Sequence, residues 1–339
     1  MKRVLRYLPV IAILTFISPS CVEKIEFEGD AMETKIVLYS ILQPDSVITV
    51  FISKSHAVFD YKFEPVQITD AVVKLYRDGE LAETLAYVAP SPQPEYHSPV
   101  LHSKYVSKGI KPVPGSTYRI EAEIPTLKTV AGETSLPDIV PIEKIDTASY
   151  KQDEMRAYLV AKVRFDDPGG RDNYYMVSGR QKNGHYNGNP AEPWYPGSSV
   201  SVTENDLYLG ADDEPLIAPN LNEDPLGIYS NNFRVFTDEL IGGRQYDLTL
   251  KLSYMKPDTA HYEFSCSQIY LQSITRDLYM YLLSYSAHVE ASDAYISEPV
   301  LVYTNVENGL GVVGARSFSS ATIQIGRYPV EKVNYRYRN

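Results

Sequence analysis

Asp70 to Arg77 reads DAVVKLYR, Asp78-Gly79 follows, and Leu81 to Val88 reads LAETLAYV. The first run is rich in β-branched and aromatic residues, and no 3.6-residue period runs through it. Asp-Gly is a preferred pair for a tight hairpin turn, because both central residues must take positive φ. The three pieces predict two antiparallel strands joined by a two-residue turn.

The same pattern extends outward on both sides. Lys35 to Ile41 and Val47 to Ile52 are strand-like, and Gln43-Pro44-Asp45-Ser46 between them supplies turn residues, so they read as a hairpin. Pro90 to Pro94 is a loop. Pro114-Gly115-Ser116 opens Thr117 to Ile124, in which Tyr118, Ile120 and Ala122 fall on one face, and Val130 to Leu136 closes the set. Short strands with turn punctuation predict an immunoglobulin-like antiparallel β-sandwich over residues 34–136. Pro137 and Pro141 bracket an extended linker, 137–141.

Residues 142–339 read as a larger β-rich domain. Tyr158 to Phe165 and Asn173 to Gly179 are strands around the turn at Asp166 to Asp172. Tyr246 to Tyr254 is a strand with Leu248, Leu250 and Leu252 on one face, and Glu263 to Ile269 is another. Residues 183–228 are dense in Gly, Pro, Asn and Asp and read as a long loop. One amphipathic helix is expected near 275–290, capped by Ser273 or Thr275, with Leu278, Leu282, Tyr285 and Val289 as its packing stripe. Val300 to Thr304 and Ala321 to Ile325 are expected as closing strands.

The N-terminus is a different kind of segment. Lys2, Arg3 and Arg6 precede the apolar run Tyr7 to Ile17, and Ser18-Pro19-Ser20 brings small residues to Cys21. That is the layout of a secretory signal peptide, too short to span a bilayer. A cysteine at the junction predicts lipidation of Cys21 after removal of residues 1–20, although Ser18 stands where such signals usually carry Leu. Residues 21–33 then form an acidic tether. With Cys21 lipidated, Cys266 has no partner and reads as a small buried apolar residue.

Removing the leader takes the charge balance from 32 Lys+Arg against 43 Asp+Glu to 29 against 43, net −14. Such a surface repels nucleic acid and anionic lipid, so the lipid anchor is what would hold the chain to a membrane. Hydrophobic residues make up 44% of the chain, ample for packed cores, and 28 tyrosines outnumber 10 phenylalanines. Tyrosine suits half-buried sheet faces and also polar binding surfaces.

Several segments together carry a family resemblance. They are Cys21 with Val22-Glu23-Lys24-Ile25-Glu26, Leu42 with the Gln43–Ser46 turn, and Pro114 through Ile120. Further ones are Phe165-Asp166-Asp167-Pro168-Gly169-Gly170 with Asn173-Tyr174-Tyr175, Tyr279 through Leu282, and Tyr303 through Ala315. In order and spacing the chain resembles the Bacteroidota outer-membrane lipoproteins grouped as domain of unknown function 4249. The resemblance implies an accessory to a TonB-dependent outer-membrane transporter in nutrient capture, lipid-anchored in the outer membrane and either exposed at the cell surface or facing the periplasm. It carries no catalytic residue over.

Chemical motifs are sparse. Gly309-Leu310-Gly311-Val312-Val313-Gly314 spells the dinucleotide fingerprint, but no strand–helix unit frames it, so it reads as a glycine-rich turn. Asp166, Asp167 and Asp172 surround a Pro-Gly-Gly turn without the spacing of a calcium loop. The six histidines are scattered without zinc spacing. No cofactor or metal is expected, and the chain reads as a non-enzyme. The best binding candidate is the segment holding Tyr186, Asn187, Trp194 and Tyr195. Its rings and amide suit a sugar or peptide side chain; packing of Trp194 between loop and sheet is the alternative. A structural or adhesion-type envelope protein without a transport role is the alternative function.

Overall fold

At Asp78-Gly79 the chain turns as its sequence dictates: φ is 51° and 87° at the two residues, and the strands on either side pair antiparallel. The computed structural model describes residues 33–55, 67–89, 103–151, 156–187, 199–211, 213–217, 231, 233–255, 264–293 and 300–326. Cys21 and the other residues of 1–32 lie outside them.

In chain order the strands are β1 (Ile36–Leu42), β2 (Thr49–Lys54), β3 (Val72–Arg77), β4 (Glu80–Thr84), β5 (Ala86–Val88), β6 (Ser103–Val106), β7 (Thr117–Glu123), β8 (Val130–Ser135) and β9 (Ile142–Lys151). They continue with β10 (Arg156–Asp166), β11 (Tyr174–Asn187), β12 (Ser199–Asp206), β13 (Leu209–Gly210), β14 (Val235–Thr237), β15 (Gln245–Met255), β16 (Phe264–Ile274) and β17 (Leu310–Gly326). A single helix among the described residues, α1 (Arg276–Asp293), connects β16 towards β17.

The protein is mainly β, built of sandwich layers. A nine-stranded central sheet runs β12-β11-β16-β17-β1-β2-β6-β5, with β14 also paired to β11. Two four-stranded sheets, β4-β3-β7-β8 and β13-β15-β10-β9, complete it. The Leu81–Val88 run is not one strand. Leu85, buried at 5% exposure, donates its N–H to Val73 O. There the chain leaves β4 in one sheet and enters β5 in the other.

Each small sheet buries its alternating face against the central sheet. Leu38, Val50, Ile52 and Tyr105 meet Val73, Leu75, Tyr118, Ile120 and Ala122 in one core, which Val313 and Ala315 of β17 complete. Phe165, Leu248 and Leu250 meet Tyr175, Val177, Ile269, Leu271 and Ile323 in the other. Each fully buried aliphatic side chain of this kind contributes about 1.5–3 kcal/mol. Val313, Ala315 and Ile323 are odd-numbered positions of one strand and share a face, so both small sheets lie on the same side of the central sheet.

Helix α1 packs on the opposite side. Leu278 and Leu282 sit among Ile41, Tyr174, Met176 and Ile274. The expected stripe is only half realised, because Tyr285 and Val289 are 40% and 37% exposed while Ser286 and Ala291 turn inward.

Three further expectations differ. The glycine-rich turn at 309–314 is the start of β17, paired parallel to β1. A Cβ on Gly311, at φ +103°, would lie 2.1 Å from Leu38 O, and one on Gly314 would lie 2.9 Å from the Leu278 Cβ. These glycines admit a neighbouring backbone and a helix, not a phosphate. Residues 300–304 are irregular where a strand was expected, and the 183–228 loop contains β12 and β13.

From Thr34 on, the described residues fall in one compact unit. The 137–141 connector joins β8 to β9 and is laced onto β17. Ser317 Oγ donates to Pro137 O at 2.6 Å, Ser319 Oγ donates to Val140 O at 2.7 Å, and Ile142 N–H donates back to Ser319 Oγ at 3.0 Å.

Candidate functional site

Where the connector passes between the two small sheets, a cleft of about 460 Å³ opens. Its walls come from segments far apart in sequence: Thr117 of β7, Thr134 of β8, Asp138 of the connector, the Arg171–Tyr175 stretch, Ser273 of β16 and the first turn of α1.

Each wall is fixed by local chemistry. The Asp166–Asp172 turn is tied down by Asp167, which is 5% exposed and accepts from Tyr175 OH at 2.5 Å and from Gly243 N–H at 2.6 Å. Burial, then the Asp167 bond, pushes the Tyr175 hydroxyl well above its ordinary value. Asn173 Nδ2 donates to Pro168 O at 2.7 Å and to the buried Asp238 at 2.9 Å. Arg171 bridges to Asp138 at 2.8 Å, an exposed pair that orients the mouth and adds little stability. On the far wall, Thr275 O accepts the Tyr279 N–H, the first helical bond, so Thr275 occupies the cap position. Its Oγ1 accepts from Ala315 N–H at 3.2 Å instead of from the helix. Asp277, in the favourable first turn, accepts from Tyr303 OH.

Two side chains lining the cleft are left without partners. Thr134 Oγ1 and Ser273 Oγ are buried, both residues being 7% exposed, and neither has a hydrogen-bond partner. An unsatisfied buried hydroxyl costs about 1–3 kcal/mol. Such a cost is tolerated where a ligand or a function recovers it. Four carboxylates (Glu133, Asp138, Asp172 and Asp277) face two guanidinium groups (Arg171 and Arg276). The lining is therefore net negative and rich in acceptors, and suits a polar ligand carrying several O–H or N–H donors.

Tyr186 and Asn187, singled out from sequence, are not among the residues lining the cleft. Tyr186 and Asn187 end β11, in register with Val200 and Ser199 of β12. Trp194 and Tyr195 fall outside the described residues, as does Cys21. The acidic residues of the Pro-Gly-Gly turn do not converge. Asp167 points inward, Asp166 accepts from Gln245 at 2.9 Å, and Asp172 lines the cleft. Among the described residues no group of three His, Cys, Asp or Glu is placed to hold a metal. Cys266 is free and buried, and burial pushes its thiol up. No described helix is long and apolar enough to cross a membrane.

Two sandwiches sharing one central sheet, with a polar cleft at their seam, define the class: a mainly-β layered protein. Its family follows from sequence comparison. The chain belongs to the family described as Domain of unknown function (DUF4249), whose profile matches residues 22–322. Comparison with curated proteins finds no match.

Proposed function

We propose that this chain is a non-enzymatic cell-envelope lipoprotein of the Bacteroidota type. In this reading it is anchored in the outer membrane through lipidated Cys21 and exposed at the cell surface. It serves a TonB-dependent transporter by holding a polar nutrient in the seam cleft. The observation that carries the binding role is the acceptor-rich seam cleft, in whose walls two hydroxyls, Thr134 Oγ1 and Ser273 Oγ, are buried without partners. A binding site prepared with unmet donors and acceptors gains affinity from the same groups that cost stability. The anchor and address rest on the leader and Cys21, and the transporter partner on family resemblance. Tyr186, Asn187, Trp194 and Tyr195 are a second proposed contact for ligand.

The test is a pull-down from detergent-solubilised outer membranes with C-terminally tagged protein, run beside Cys21→Ala. The expected result is a transporter barrel recovered in stoichiometric amount with the wild type, and loss of membrane fractionation in Cys21→Ala. A wild type that stays in the outer membrane but brings down no barrel would replace the uptake role with a structural envelope role.

A further inference from the structure

Arg316 stands on the helix-bearing face of the central sheet, two residues from Gly314 on β17, and its guanidinium is bonded to neutral groups alone. Nε and Nη2 donate to Gln43 Oε1 at 3.0 and 2.8 Å, and Nη1 donates to Gln272 Oε1 at 3.3 Å. Arg77, Arg119, Arg164, Arg171 and Arg180 each reach a carboxylate. Arg316 reaches none among the described residues. A guanidinium stays charged in proteins and carries five donors. Three are used, which leaves one N–H on each terminal nitrogen. A largely buried charge without a counter-ion is costly to keep. Burial pulls the Arg316 pKa down, the Tyr39 hydroxyl opposes this, and the positive charge of Arg180 pulls it down further.

The surroundings are held in place. Gln43 Nε2 donates to Ser46 Oγ at 2.8 Å and Gln272 Nε2 donates to Ser178 Oγ at 2.8 Å, so both amide oxygens are already aimed at Arg316. Tyr39 lies within electrostatic reach of Arg316, and two tyrosines of α1 adjoin Tyr39 in turn. The Tyr39 and Tyr281 ring centroids are 6.0 Å apart, and Tyr281 and Tyr285 stack at 6.0 Å with 7° between their planes. Burial raises the Tyr39 hydroxyl, and the Arg316 charge is close enough to lower it. None of these three hydroxyls has a hydrogen-bond partner among the described residues. Guanidinium donors, phenolic donors and the absence of a carboxylate are together selective for negative charge.

We propose that Arg316, with Tyr39, Tyr281 and Tyr285, forms a binding site for the oxyanion group, carboxylate or phosphate, of a small molecule. The two remaining N–H groups of Arg316 hold the oxygens, the tyrosine hydroxyls add donors, and the stacked rings carry the less polar part of the molecule. The site lies on the other face of the central sheet from Ser273 and does not depend on the cleft or on a transporter.

The experiment titrates detergent-solubilised mature protein with inorganic phosphate and, separately, with benzoate at constant ionic strength, followed by calorimetry. Saturable one-to-one binding of at least one anion is expected, about tenfold or more weaker in Arg316→Gln. It should also be weaker in Arg316→Lys, which keeps the charge but lacks the fork. Thr134→Val should leave it unchanged. Tighter phosphate binding marks a phosphate ligand and tighter benzoate binding an aromatic carboxylate. Binding of neither anion overturns the site, and so does unchanged affinity in Arg316→Gln. Should Arg316→Gln fail to fold, the Tyr39→Phe, Tyr281→Phe double variant decides: a severalfold loss of affinity supports the site and full affinity overturns it.

Discussion

Single atoms decide two positions. Gly311 combines a left-handed φ with a Cβ position 2.1 Å from Leu38 O, so any side chain there separates β17 from β1. Gly311→Ala is expected to cost on the order of 3 kcal/mol or more, read as a lower melting temperature. Thr134 predicts the opposite sign. Its hydroxyl has no partner, so the nearly isosteric Thr134→Val removes an unmet polar group. It should raise unfolding stability by about 1 kcal/mol while weakening whatever the cleft binds. A drop in stability would show that the hydroxyl is bonded in solution. Neither position announces itself in the sequence. Thr134 is one of many threonines, and Gly311 reads as part of a glycine-rich turn until its parallel neighbour is known.

At the level of elements, alternation was the readable signal. Tyr118, Ile120 and Ala122 in β7, and Leu248, Leu250 and Leu252 in β15, follow a period of two and are fully buried or nearly so. The Asp-Gly turn was equally plain. The edge strand β9 was not: IEKIDTASYK exposes Glu143, Lys144 and Asp146, and its half-buried residues do not alternate cleanly. An edge strand guarded by charge loses the pattern by which strands are recognised. The cleft was illegible for a related reason, since its walls are drawn from separate segments that only the sheet order brings together. Helix α1 is legible as a helix, but towards its C-terminal end the apolar stripe does not mark the buried face, since Tyr285 and Val289 are exposed. That gives a contrast between two substitutions. Leu278→Ala should cost about 2–5 kcal/mol, whereas Val289→Ser should stay within about 0.5 kcal/mol, as measured by chemical denaturation.

Across the whole molecule, tyrosine sets the alkaline limit. Burial raises the hydroxyls of Tyr39, Tyr105, Tyr175 and Tyr246 above 10.0, and that of Tyr281 to about 12. Their neutral forms belong to the folded state. The stability they contribute is whole below pH 10.0, the ordinary tyrosine value, and is lost as pH rises through the folded values. Unfolding above pH 10 should therefore coincide with a cooperative rise in tyrosinate absorbance. Independent titration of these residues without unfolding would contradict the burial described. The same scale governs fragments. The core of residues 34–136 includes Val306, Val313 and Ala315, so that segment expressed alone should show no cooperative melting transition. The parallel pairing of β1 with β17 has a last consequence, for assembly in time. The first strand of the central sheet waits for its partner on this edge until about 270 further residues have been made. Contacts so distant in sequence close slowly. A chain threaded across a membrane from its N-terminus would present β1 with an open hydrogen-bonding edge throughout the passage, a natural point of engagement for a chaperone that masks unpaired strands.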